Sequence, residues 1–131
     1  MATHSIKEII DYRVEKSNEI LKEISFLLDN NFANAAVSRM YYACYHSISA
    51  LLYSHGIETK THKGLRQQFG RNFVQTGIIP INVARVFTEI ADRRHESDYD
   101  DFMNFTIDRA KEFYPYIQEL VNLVHTLIKK D

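Results

Sequence analysis

The stretch from Phe32 to Leu52, FANAAVSRMYYACYHSISALL, constrains the fold more than any other part of the chain. Wound as a helix, it is apolar on nearly every side. Such a helix sits at the centre of a bundle, or a second subunit covers its other side. At about 100° per residue, Arg39, Tyr42, Ala43, His46, Ala50 and Tyr53 share one face. A permanent cation and a titratable imidazole therefore stand on the least polar helix. An unpaired buried guanidinium is costly, so Arg39 needs a carboxylate partner or a wet cleft. Two readings follow. In one, Arg39 pairs with an acid such as Asp92, Glu96 or Asp98, and His46 is a hydrogen-bonded core histidine. In the other, Arg39 holds a phosphate and His46 moves protons.

The rest of the chain is patterned the same way. Ser5 followed by Glu8 reads as a capping box, which satisfies two free amides at a helix start. Ile6, Ile9, Ile10, Val14, Leu21, Ile24 and Leu28 then form one stripe. Asn30 or Asn31 is expected to end this helix and cap the next, which runs from about Phe32 to Ser54 with Gly56 as a left-handed stop. Thr61 caps a shorter helix through Leu65, Phe69, Phe73 and Val74, ending at Gly77. Pro80 suits the first turn of a helix carrying Val83, Val86, Phe87 and Ile90. The segment HESDYDDFMNFT breaks that pattern. A last helix spans roughly Ile107 to Lys130, and Pro115 should remove one of its backbone bonds and bend it. No stretch alternates with period two. The expected fold is all-α: one domain over residues 1–131, an up-and-down bundle of four main helices plus a short one.

With 131 residues, the chain has room for one core. A net charge of −1 excludes a surface that is basic all over, as in many nucleic-acid binders. The single cysteine, Cys44, forbids an internal disulfide and fits a reducing cytoplasm. Neither a leader-like start nor a long apolar run is present, so a cytoplasmic product without membrane attachment is expected. Charge is nevertheless segregated. From Thr59 to Thr88 there is no acid, and Lys60, Lys63, Arg66, Arg71 and Arg85 supply five positive charges; from Glu89 to Glu112, eight acids face four bases. The basic segment either attracts phosphates around the THKG loop or pairs with the acidic one. The acids of ESDYDD lack the spacing of a calcium loop, so no metal site and no cofactor are expected.

Three motifs in this order, SRMYYACYH, KTHKG and RRHESDYDDF, resemble the HEPN superfamily, and in particular its small stand-alone prokaryotic branch. The resemblance covers roughly residues 31–110. It implies a bundle of four to five helices that dimerises, with a cleft along the dimer axis. It also implies two kinds of activity. Many members are metal-independent ribonucleases, often toxins encoded beside a nucleotidyltransferase-type antitoxin; others bind nucleotides or partners without catalysis. Their usual motif is Arg, four to six residues, then His. Here Arg93 is followed after four residues by Asp98.

Within this resemblance the candidate catalytic residues are Arg39, His46, Arg94, Asp98 and Tyr99. His46 is the base or acid, Arg39 or Arg94 the cation for the phosphorane charge, and Tyr99 a proton or hydrogen-bond donor. Asp98 is also the expected companion of Arg39. The candidate RNA- or nucleotide-binding residues are His62, Lys63, Arg66, Arg93 and Tyr42, centred on the THKG loop where a helix start favours anions. A homodimer is expected because the second helix is too apolar for one small bundle to cover. The competing functions are a ribonuclease toxin, a non-catalytic nucleotide- or partner-binding module, and a structural dimer.

Overall fold

The computed structural model describes residues 4–100 and 104–129, and over 94–100 only the backbone. Five α-helices follow in order: α1 (Ile6–Asp29), α2 (Ala33–Ser54), α3 (His62–Phe69), α4 (Ile81–Asp100) and α5 (Ile107–Leu127). No strand occurs among the described residues. A π-helical turn, Gly70–Val74, prolongs α3. The backbone of α4 continues as helix to Asp100, through residues expected to break it. The continuity of α5 survives Pro115, whose ring removes one donor without ending the helix.

The caps are local chemistry. Ser5 Oγ accepts from the Glu8 amide at 3.1 Å, while the Glu8 carboxylate reaches the Ser5 hydroxyl and the His4 ring instead of closing the box on the Ser5 amide. Thr61 Oγ1 accepts from the Gly64 amide at 2.9 Å and starts α3 as expected. The α1–α2 turn differs from expectation. Asn30 ends α1 and Asn31 takes φ 65°, but Phe32 precedes α2 with no side-chain cap. An Asn in the left-handed region reverses the chain so tightly that neither Asn side chain reaches the next helix.

Helix α2 is the core. Ala36, Val37, Met40, Ala43, Cys44, Ile48, Ala50 and Leu51 are fully buried. Side-chain contacts set its neighbours. Arg39 meets Glu23 and His46 meets Arg13, so α1 and α2 run antiparallel. Asn34 accepts from the Phe105 amide and His55 donates to the Leu127 carbonyl, so α5 runs parallel to α2. Tyr41 stacks on Phe87 of α4 and on His62 of α3. Within one chain α2 is thus buried along most of its length, while Ala35 stays exposed and Arg39, Tyr42, Tyr45 and His46 are only partly covered. Burial of the Cys44 thiol pushes its pKa well up.

Candidate functional site

Arg39 and His46 do share a face of α2, and that face lies along α1. Arg39 Nε donates to Glu23 Oε2 at 2.8 Å. Both side chains are partly exposed, 33% and 49%, so the seam is wet and neither ion is a buried charge. The anticipated pairing of Arg39 with Asp92 is not made, because Asp92 accepts from Arg66 Nη1 at 3.1 Å. Glu96 and Asp98 lie outside the described side chains, as do Arg94 and Tyr99.

His46 Nδ1 is 2.9 Å from Arg13 Nη1. Arginine can only donate, so Nδ1 must accept, and the neutral ring carries its proton on Nε2. Burial, then the charges of Arg13, Lys16 and Arg39, push the His46 pKa down to about 4. At neutral pH the ring is held in its neutral form, which makes His46 a poor general acid. With Nδ1 already committed to Arg13, it is also badly placed to collect a proton there.

The same stretch joins the THKG loop through aromatic rings. Tyr45 stacks on His62 with centroids 4.5 Å apart, and His46 meets the Tyr45 ring edge-on. The Tyr41 hydroxyl is hydrogen-bonded to His62 Nδ1. Tyr42 meets Tyr41 edge-on at 5.3 Å. Arg13 lies over the Tyr45 ring at 5.6 Å. The structure therefore brings His46, Tyr42 and His62 into one cluster, and His62 belongs to this aromatic packing rather than to a free loop.

Lys63 and Arg66 point elsewhere. Together with Arg85 they line a groove of about 540 Å³ between α3 and α4, floored by buried Phe69 and Phe87 with exposed Ile81 at its edge. No acid lines it. Arg66 alone is neutralised, by Asp92 at 3.1 Å; Lys63 and Arg85 make no ion pair among the described residues. The basic segment thus pairs with the acidic one at Arg66, while Lys63 and Arg85 leave the groove with positive charge unmatched among the described residues. A larger groove of about 1030 Å³, between α1 and the ends of α2 and α5, has mixed charge (Lys7, Asp11, Glu15, Glu19) and holds none of the expected site residues. Volume alone does not make it the site. Arg93 is exposed and stands 5.4 Å over the Phe105 ring, and no hydrogen bond or ion pair joins it to Arg39 or His46. Among the described residues no cluster of three or more His, Cys, Asp or Glu could hold a metal.

Sequence reasoning missed Arg13 and Glu23. A signal existed for Arg13. Counting towards the N-terminus from Leu28 through Ile24, Ile20 and Ser17, all buried, lands on Arg13 by the same three- and four-residue spacing.

The HEPN domain family matches residues 10–127. This chain belongs to the HEPN family. It is 28% identical over 123 residues to a "UPF0332 protein" of Thermotoga maritima, covering 94% of this chain and 93% of that one. It is 35% identical over 94 residues to "Putative toxin MJ0605" of Methanocaldococcus jannaschii, covering 72% and 70%. A second protein of that organism, "Putative toxin MJ0142", is 29% identical over 111 residues, covering 85% and 73%. Within this HEPN chain no helix of the described residues is long and apolar enough to cross a membrane.

Proposed function

We propose that this HEPN protein binds RNA or a nucleotide through its phosphates, in the groove between α3 and α4, and that Arg39 and His46 serve the bundle rather than catalysis. The observation that carries this is the groove itself. Lys63, Arg85 and the Asp92-paired Arg66 line a groove with an apolar floor and no acid among the lining residues. Cations around a low-dielectric wall concentrate phosphate-bearing ligands, and the apolar floor suits a base or ribose. Binding of a labelled oligoribonucleotide and of a nucleoside triphosphate, measured across a salt series, tests it. Lys63→Glu with Arg85→Glu should weaken binding at least about tenfold and flatten the salt dependence by about one unit of slope for each phosphate-binding cation removed. Unchanged affinity in that variant would refute it.

The second reading is a metal-independent ribonuclease toxin. Two relatives bear toxin names, and Arg93 and Asp98 occupy the family's motif with an acid in place of histidine. RNA cutting without metal that disappears in a well-folded His46→Asn variant would favour it over binding alone. A homodimer and a nucleotidyltransferase-type partner belong to the same proposal. Exposed Phe26 and Phe32, 65% and 55% accessible at the α1–α2 turn, are available to such an interface. Light scattering that reports a monomer at tens of micromolar would remove the homodimer.

A further inference from the structure

We propose that the α1–α2 seam carries a second oxyanion site, separate from the α3–α4 groove, in which Arg13, flanked by Lys16 and Arg39, takes a phosphate group. Its choice of ligand rests on the reading of this chain as a phosphate binder; its location does not.

The argument starts from charge that is not neutralised. Arg39 has Glu23 at 2.8 Å. Lys16 has only Glu19, at 4.0 Å and more than half exposed. Half-buried Arg13 has no carboxylate among the described residues. Its two contacts are a neutral imidazole, at 2.9 Å, and the face of Tyr45. Neither cancels a charge. A partly desolvated guanidinium is expensive unless a counter-ion arrives. The field is strong enough that Arg13, Lys16 and Arg39 each add to the fall in His46 basicity.

The site is also built, not merely charged. The Arg13 guanidinium is held by His46 on one nitrogen, at 2.9 Å, and lies over the Tyr45 ring, 5.6 Å from its centroid. Tyr45 is itself fixed by stacking on His62. That leaves an oriented fork whose remaining N–H donors suit two oxygens of one phosphate. Unpaired Arg13, with Lys16 only loosely matched by Glu19 at 4.0 Å, gives the fork a net positive field for an anionic group. Tyr45 and His62 connect this seam to the first turn of α3, next to Lys63.

The test uses the full chain and NMR spectra of arginine side chains and histidine rings, titrated separately with inorganic phosphate and with a short oligouridylate. Arg13 and His46 signals should move with at least one probe. A response to the oligonucleotide alone assigns the site to a nucleic-acid backbone; a response to inorganic phosphate as well shows that the free group suffices. Arg13→Gln should weaken binding about tenfold, the loss of one charge-assisted hydrogen bond. Lys16→Gln keeps the Arg13–His46 bond and should give a smaller loss, so a poorly folded Arg13→Gln does not end the test. Signals that stay still with both probes, or wild-type affinity in both variants, would overturn the site. If charge reversal at Lys63 and Arg85 abolishes binding while Arg13→Gln and Lys16→Gln do not weaken it, the seam fails and the groove stands; the opposite pattern removes the groove and keeps the seam.

Discussion

His46 should make this protein lose stability as the pH falls from neutral to about 4. The ring titrates near 6.5 when exposed and is pushed down to about 4 in the fold, first by burial and then by Arg13, Lys16 and Arg39. Between those two values the unfolded chain binds a proton that the folded chain refuses, so acid favours unfolding. Little is lost at pH 7, where the folded ring is neutral and the unfolded one mostly so; the full penalty is reached below about pH 4. At face value the shift corresponds to about 3 kcal/mol. Because the ring is only half-buried and water screens the repulsion, roughly half, about 1.5 kcal/mol, is the reasonable expectation. For a domain of this size that is about 6 °C of melting temperature. The control is His46→Asn, which offers Arg13 an acceptor but cannot titrate. Thermal unfolding of both proteins from pH 7.5 to pH 4 should show the wild type falling further by that margin. Parallel curves, or a His46 ring that titrates by NMR near 6.5, would refute the account of the seam.

Other outcomes follow from the same contacts. Arg39→Ala should cost under about 1 kcal/mol in urea unfolding, because half-exposed Glu23 is left in water rather than stranded; a loss of several kcal/mol would show the pair to be buried. Arg13→Ala should raise the His46 titration midpoint towards its ordinary value, whereas an unmoved midpoint would show that the Arg13 charge contributes nothing beside burial, Lys16 and Arg39. Thr61→Ala should cost about 1 kcal/mol by freeing the Gly64 amide and loosen His62 with it, read as greater hydrogen exchange in the first turn of α3. Cys44 should resist alkylation at pH 8 until denaturant is added, since its thiol is buried and its pKa raised; rapid native labelling would contradict its place in the core.

The helical class, the centrality of α2, the caps at Ser5 and Thr61 and the family were all legible in the chain, because each depends on spacing over one or two turns. Period sets which residues share a face, and a cap needs only its own first turn. What covers a face is not local. The partner of Arg39 could have been any acid that the fold carried close. The choice of Glu23 over Asp92 was made by α1 running antiparallel along α2, while Arg66 claimed Asp92 from α3. Likewise the THKG loop announced its charge, but only the packing of α3 divided it, sending His62 into the Tyr41–Tyr45 stack and Lys63 and Arg66 to the groove. The Arg13–His46 contact joins residues 33 positions apart. Local physics determined which side chains each helix would present; long-range packing decided which of them met a counter-charge, like Arg39 of α2, and which, like Arg13 of α1, did not.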